Sequence, residues 1–308
     1  MAGRRTSPFR QPACEWHNGG LLNRIRQPMS ITLVIQSPRL DNRELQELAT
    51  LAGASSIQQP SPDVARLEQA DPASRDTISA CCQTLGYDFA FVDGQLKLAD
   101  FGLLVSDMDS TLITIECIDE IADMQGIKPQ VAAITERSMR GELDFSASLR
   151  ERVSLLAGLP ESALEKVYQE RLQLSPGAEQ LLARCKENGI RFMLVSGGFT
   201  FFTERLKQQL GLDYAYANQL EVVDGKLTGR VVGDIVDAAA KQRLLIEKRS
   251  ELGLRADQVI AMGDGANDLL MLGEAGVGVA YRAKPVVQAK ADVAINIVGL
   301  DGVARLFA

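Results

Sequence analysis

The chain has 308 residues, 46% of them apolar and 24% charged, with a net charge of −7 and an isoelectric point near 5.0. This length suits two domains, or one large domain with an insertion, and allows a substantial buried core. The acidic balance, with no basic stripe, argues against a nucleic-acid partner, and the apolar runs are too short to span a bilayer.

The five cysteines, Cys14, Cys81, Cys82, Cys117 and Cys185, are odd in number and lack C-x-x-C spacing. They are expected to be reduced thiols in a cytoplasmic protein. The single histidine, His17, lies in the N-terminal tail. Ser-His-Asp catalysis, Cys-His catalysis and His-rich zinc sites are therefore disfavoured. Carboxylates, Lys, Arg and hydroxyls remain to do the chemistry.

Residues 1–28 hold five arginines, one acid and three prolines. They are predicted to form a disordered extension without an apolar secretion segment. Met29, just before a strand-like stretch, reads as the domain start, so Met1 and Met29 are both candidate initiators. Residues 29–98 read as a small α/β unit. A strand is predicted at 31–36 and a helix at 42–52, with Leu45, Leu48 and Leu51 on one face. Asp71-Pro72 opens a second helix running to 83 or 85. A strand at 87–92 follows, and Asp93-Gly94 predicts a hairpin turn into a strand at 95–98. No catalytic constellation lies here. A docking, dimerisation or regulatory role is expected, with a homodimer as one assembly.

The apolar run 101–106 predicts a buried strand that ends in Asp107-Met108-Asp109-Ser110-Thr111. Four helices are predicted at 118–124, 129–139, 145–156 and 162–172, punctuated by Gly126, Gly141 and Gly158. They suggest a cap inserted at about 116–174. Ser175-Pro176-Gly177 returns the chain to a helix at 178–187 and a strand at 190–195 that ends in Ser196-Gly197-Gly198. A helix at 199–210, a hairpin around Asp224-Gly225 and a helix at 237–250 carrying Lys241 follow. The strand at 258–262 ends in Gly263-Asp264-Gly265-Ala266-Asn267-Asp268, with later strands at 276–280 and 292–295. Strand–helix alternation over 99–308 predicts an α/β fold with a doubly wound parallel sheet.

Three strand ends thus present polar clusters, and adjacent parallel strands would bring them to one sheet edge. Four acids there, Asp107, Asp109, Asp264 and Asp268, repel one another and need positive charge. Hard oxygen donors at this density suit Mg²⁺, and Lys241 adds a second charge. Ser196 and nearby backbone N–H groups suit phosphate oxygens, so the pattern points to phosphoryl transfer. Taken singly, each residue has a plainer explanation, such as a turn acid or a solvated lysine. Their joint order is what carries weight. A dinucleotide fingerprint is not supported, because the Gly263-x-Gly265 run lacks the third glycine, and no P-loop motif is present.

DMDST, VSGG, Lys241 and GDGAND resemble, in order, the four motifs of the haloacid dehalogenase-like phosphatases. DMDSTLITIECIDEIA, the helical insertion and VSGGFTFF are similar to the phosphoserine phosphatases within that superfamily. The resemblance covers roughly residues 100–300. It implies a Mg²⁺-dependent hydrolysis of O-phospho-L-serine, the last step of serine biosynthesis, through an aspartyl phosphate. Asp107 would be the nucleophile and Asp109 the general acid and base. Ser196, Gly197, Lys241 and Asn267 would hold phosphate. Asp107, Asp264 and the backbone carbonyl of Asp109 would hold the metal, with Asp268 behind them. Glu116 would take the substrate ammonium and Arg152 its carboxylate, while Met139 and Phe145 would shield the site. A related phosphotransferase, or a phosphatase for another small phosphomonoester, is the alternative.

Overall fold

The computed structural model describes residues 30–307. The expected disordered extension, Met29, His17 and Cys14 lie outside them. The remaining cysteines are free thiols, and no helix of the described residues is long and apolar enough to cross a membrane.

Strand β1 (Ile31–Gln36) leads into α1 (Asn42–Leu51), where the Asp41 carboxylate accepts from the Arg43 and Glu44 N–H groups. That cap satisfies donors the helix itself cannot. Residues 53–70, unassigned from the sequence, form the antiparallel pair β2 (Ser56–Ser61) and β3 (Val64–Glu68). β2 carries no apolar alternation, and its Pro60 is tolerated because the strand is a sheet edge. Helix α2 (Arg75–Leu85) starts after the predicted Asp71-Pro72 cap, and β4 (Asp88–Asp93) follows.

The predicted hairpin at Asp93-Gly94 does not form. Asp93 accepts from the Gln95 N–H through Oδ1 and from the Leu96 N–H through its carbonyl. These local bonds turn the chain into a 3₁₀ turn at Leu98–Asp100 in place of a strand at 95–98.

Strand β5 (Leu103–Ser106) is buried throughout, and its three apolar side chains are fully inaccessible. Each contributes about 1.5–3 kcal/mol of burial. Between β5 and the next strand lie α3 (Cys117–Met124), α4 (Lys128–Met139), α5 (Phe145–Ser154) and α6 (Ser162–Glu170). An antiparallel bridge between Ile113 and Leu174 closes the neck of this insertion. Helix α7 (Ala178–Glu187) begins after Gly177, whose φ of 79° and closeness to the Leu300 backbone exclude a side chain.

Strand β6 (Arg191–Phe199), α8 (Thr200–Leu210), β7 (Tyr214–Val223), β8 (Lys226–Val232) and α9 (Ala238–Glu251) follow. Asp224-Gly225 forms the expected hairpin turn between β7 and β8. The chain ends with β9 (Val259–Gly263), α10 (Leu269–Glu274), β10 (Val277–Tyr281), α11 (Pro285–Gln288), β11 (Val293–Ile295) and α12 (Asp301–Arg305).

One sheet runs β2-β3-β1-β4-β11-β10-β9-β5-β6-β7-β8. From β11 to β7 the strands are parallel, as expected for a doubly wound α/β sheet. β4 meets β11 at a single antiparallel pair, Phe89 with Ala294. The Asp88 carboxylate seals that junction by accepting from the N–H groups of Asn296, Ile297 and Val298. β5 lies between β9 and β6, so the ends of these three strands meet at one edge.

Candidate active site

Asp107 extends β5 by one residue, its N–H bonding to the Met262 carbonyl of β9. The residue is 5% exposed. Its Oδ1 accepts from the Met108 N–H at 2.7 Å and pairs with Lys241 Nζ at 2.8 Å. The chain then turns sharply, with Ser110 in the left-handed region at φ 54°. Such a backbone costs on the order of 1–3 kcal/mol and persists where surrounding bonds hold it. Here Ser110 N–H bonds the Ile115 carbonyl, and Ser110 Oγ bonds Glu116 Oε1 at 2.7 Å.

The turn aims Asp109 back toward β6. Its Oδ1 accepts from the Cys117 N–H at 2.9 Å, and its Oδ2 from Ser196 Oγ at 3.3 Å. Ser196 Oγ also accepts from the Gly198 N–H at 2.8 Å. A Cβ on Gly198 would lie 2.7 Å from Asp109 Oδ2, so the strand end must be bare there.

Lys241 is fully buried beneath this surface and bridges Asp107 to Asp268, the latter at 2.7 Å. Asp268 is itself fully buried, and its Oδ2 accepts from the Gly265 N–H at 3.0 Å. Asp264 accepts from Thr111 Oγ1 at 3.3 Å.

One carboxylate oxygen from each of Asp107, Asp264 and Asp268 lies within 4.8 Å of the others. Three hard oxygen donors facing one lysine fit a small divalent cation. Asp268, expected behind the metal set, supplies one oxygen to this trio and pairs with Lys241. The Asp109 carboxylate is outside this trio.

Burial pushes the Asp107 carboxyl well above its ordinary range, and Asp268 adds to the push while Lys241 opposes it. Burial also raises Asp109, against the donors from Cys117 and the field of Lys241. Asp264 is pushed up to about 6 by burial and by Asp268. Burial disfavours the Lys241 charge, yet Asp107 and Asp268 outweigh it and hold the ammonium above its usual range. A cluster whose acids resist losing their protons is one that a cation would stabilise.

A cleft of about 760 Å³ opens over these groups, lined by Asp107, Asp109, Glu116, Phe145, Arg152 and Asn267 among others. Glu116 precedes α3 and is pushed up to about 7 by burial against the cleft wall and by Asp109. Glu116 is nonetheless exposed at the cleft mouth, and solvent there screens that push. Arg152, in the last turn of α5, is lowered by burial and steadied by Asp119 and Glu116. Phe145 packs over Gly197, where a Cβ would sit 2.8 Å from its ring. Met139 ends α4, and its side chain lies outside the described residues.

The insertion and the sheet edge thus face one another across a single cleft. Lining groups that sequence reasoning passed over include Asp119, Thr135, Ser138 and Lys284. Asp119 lies one helical turn from Glu116, a spacing that could have flagged it. Lys284 carries no such signal.

A sequence profile of the haloacid dehalogenase-like hydrolases matches residues 104–273, which contain the ends of β5, β6 and β9. A second profile, a domain of unknown function, matches residues 33–78. A phosphoserine phosphatase from Polaromonas sp. is 56% identical over 216 residues, 68% of this chain and 92% of that protein. A haloacid dehalogenase family hydrolase from Salmonella enterica serovar Typhi superposes with a TM-score of 0.84 at 32% identity, covering 90% of this chain and 98% of the other. A probable phosphoserine phosphatase from Vibrio cholerae gives a TM-score of 0.79 at 38% identity, over 93% and 92% of the two chains. With its buried acid–lysine–acid floor and these relatives, the chain belongs to the phosphoserine phosphatase family of the haloacid dehalogenase-like hydrolases.

Proposed function

We propose that this protein hydrolyses O-phospho-L-serine to L-serine and orthophosphate with Mg²⁺, completing serine biosynthesis in the cytoplasm. The observation that carries this reading is one cleft lined by Asp107, Asp109, Glu116 and Arg152 together.

Both contacts on the Asp107 carboxylate fall on Oδ1. Oδ2 is therefore the oxygen we assign to attack on phosphorus. A carboxylate needs no base to act as nucleophile. As the P–O bond to serine breaks, Asp109 gives its proton to the leaving oxygen. Its raised pKa favours that protonated form, and Cys117 and Ser196 fix its direction. Asp109 then takes a proton from water, whose oxygen attacks the aspartyl phosphate and frees Asp107. Ser196, Gly197, Lys241 and Asn267 hold the phosphoryl oxygens. Mg²⁺, held by Asp107, Asp264 and the Asp109 carbonyl, would supply charge neutralisation at the phosphoryl group; Asp268 orients Lys241. Glu116 pairs with the substrate ammonium and Arg152 forks onto its carboxylate. Phe145 excludes water.

Phosphate release from phosphoserine should be lost in EDTA and restored by Mg²⁺. Phosphothreonine and sugar phosphates should turn over more slowly; equal rates on all three would sink the amino-acid assignment. Glu116 must be ionised to bind an ammonium, and its carboxyl is held near 7. So kcat/KM should fall as pH drops below about 7. In Glu116→Gln that limb should move to lower pH, leaving the acid limb set by Asp107 and Asp264, while KM rises about tenfold to hundredfold, the size of a lost charged hydrogen bond. An unchanged pH profile would remove Glu116 from the ammonium site.

The same reading divides the chain into an extension at 1–28, a docked unit at 29–98 and a phosphatase core at 99–308 with its cap at about 116–174. Asp88, Gln36 and Arg66 all reach from the docked unit to backbone groups of residues 296–306. Docking, not swinging, is the role we assign it. Asp88→Ala would strand three N–H groups, so unfolding should shift down by about 1–3 kcal/mol in one transition with kcat unchanged. Two separate transitions in the wild-type protein would contradict docking.

A further inference from the structure

Strand β6 leaves its register at the site. Val195 pairs with Tyr216 and Phe199 with Asn218, so four steps on β6 oppose two on β7. Three residues, Ser196-Gly197-Gly198, thus face one on β7 and bulge from the ladder, and Gly197 and Gly198 line the cleft. A bulge re-aims backbone groups but takes them away from their strand partners. The Gly197 carbonyl is paired instead by a side chain: Asn218 Nδ2 donates to it at 2.8 Å. The other end of the same amide, Oδ1, accepts from the Val236 N–H at 2.8 Å. Asn218 is 1% exposed. Val236 lies one residue before Asp237, the cap of α9, and α9 carries Lys241.

One buried amide therefore ties the glycine bulge to the segment that launches the lysine helix. We propose that Asn218 is a positioning residue for phosphate. It holds the Gly197 peptide and the start of α9 at a set separation, so that the bulge and Lys241 close on the same phosphoryl group. This rests on the phosphoryl site lying where the preceding section puts it, although not on serine being the leaving group. Asn218 touches neither Glu116 nor Arg152 in this arrangement, and the amino-acid half of the cleft is built from other elements. Loosening the tie should weaken phosphate binding and leave amino-acid binding alone.

Asn218→Asp is the sharper variant, because it keeps the volume and the acceptor for Val236 while losing the donor to Gly197. Asn218→Ala removes both. Binding of orthophosphate and of L-serine to the full chain, each with Mg²⁺, would be measured by titration calorimetry alongside thermal unfolding. Misplacement by about an ångström costs roughly a hundredfold in rate. Both variants should show kcat reduced on that scale and an orthophosphate Kd raised about tenfold or more, with the L-serine Kd within about twofold of wild type. Should Asn218→Ala not fold, Asn218→Asp carries the test. Orthophosphate binding unchanged in Asn218→Asp would overturn the proposal. So would a matching loss of orthophosphate and serine binding, which marks a general loosening of the fold. A wild-type protein that binds orthophosphate but not L-serine would refute the substrate assignment while the orthophosphate arm still judges Asn218.

Discussion

Asp107→Asn is expected to reduce phosphate release by roughly ten-thousand-fold or more, the scale seen when a covalent nucleophile is removed. The amide keeps the shape of the carboxylate but is a poor nucleophile. The fold should survive. The amide would still offer an oxygen to the Met108 N–H, and Lys241 would keep Asp268 as its counter-ion. Burial already opposes charge on Asp107. Losing that charge should therefore leave the unfolding midpoint level or raised. Steady-state phosphate release and a denaturant melt on the same preparation check both halves. Turnover near wild type would move the nucleophile elsewhere, with Asp109 and Asp264 the next groups to test.

Lys241→Met should abolish turnover and also destabilise the protein by about 3–5 kcal/mol at neutral pH, the cost of breaking a buried ion pair by removing one partner. Lys241 is the cation between two buried carboxylates, at 2.8 and 2.7 Å. Without it, Asp107 and Asp268 face each other and Asp264 within one cluster. The variant's folded state would take up protons that the unfolded chain, with carboxyls near 4, does not bind. Stability then rises as pH falls from neutral toward that range, since the folded state binds more protons there. Lys241→Met with Asp268→Asn should recover much of the stability and none of the turnover. Denaturant melts across pH would show this. A single variant as stable as wild type at every pH would mean that Lys241 is not the counter-charge of the floor.

Most of the acid–lysine floor was legible in the sequence because each member sits at the end of a strand or the start of a helix. The apolar run before Asp107, the run before Asp264 and the cap before Lys241 are local signals. Parallel α/β packing then puts strand ends on one edge. The insertion was legible for a similar reason, since glycine punctuates its helices. The misassigned stretches show where local signals compete. Asp93-Gly94 has hairpin composition, but the Asp93 carboxylate and carbonyl close a tighter turn first. β2 has no strand pattern of its own and exists because β3 pairs with it.

Asn218 carried no sequence signal. Its partners are 21 and 18 residues away, and an Asn in a strand is unremarkable until a bulge leaves a carbonyl for it to pair. The ion pair of Asp268 with Lys241 likewise joins groups 27 residues apart. By itself, then, the sequence determined most of the order of the elements from β5 onward, the class of sheet and a set of candidate groups for phosphoryl chemistry, all of which follow from periodicity, caps and strand ends. The tertiary structure alone decided that Lys241 is buried between two acids, that Asp88 locks β4 to residues 296–298, and that Asn218 bridges the bulge to α9. Those facts depend on contacts between segments far apart in the chain, where neither partner's own neighbours announce the other.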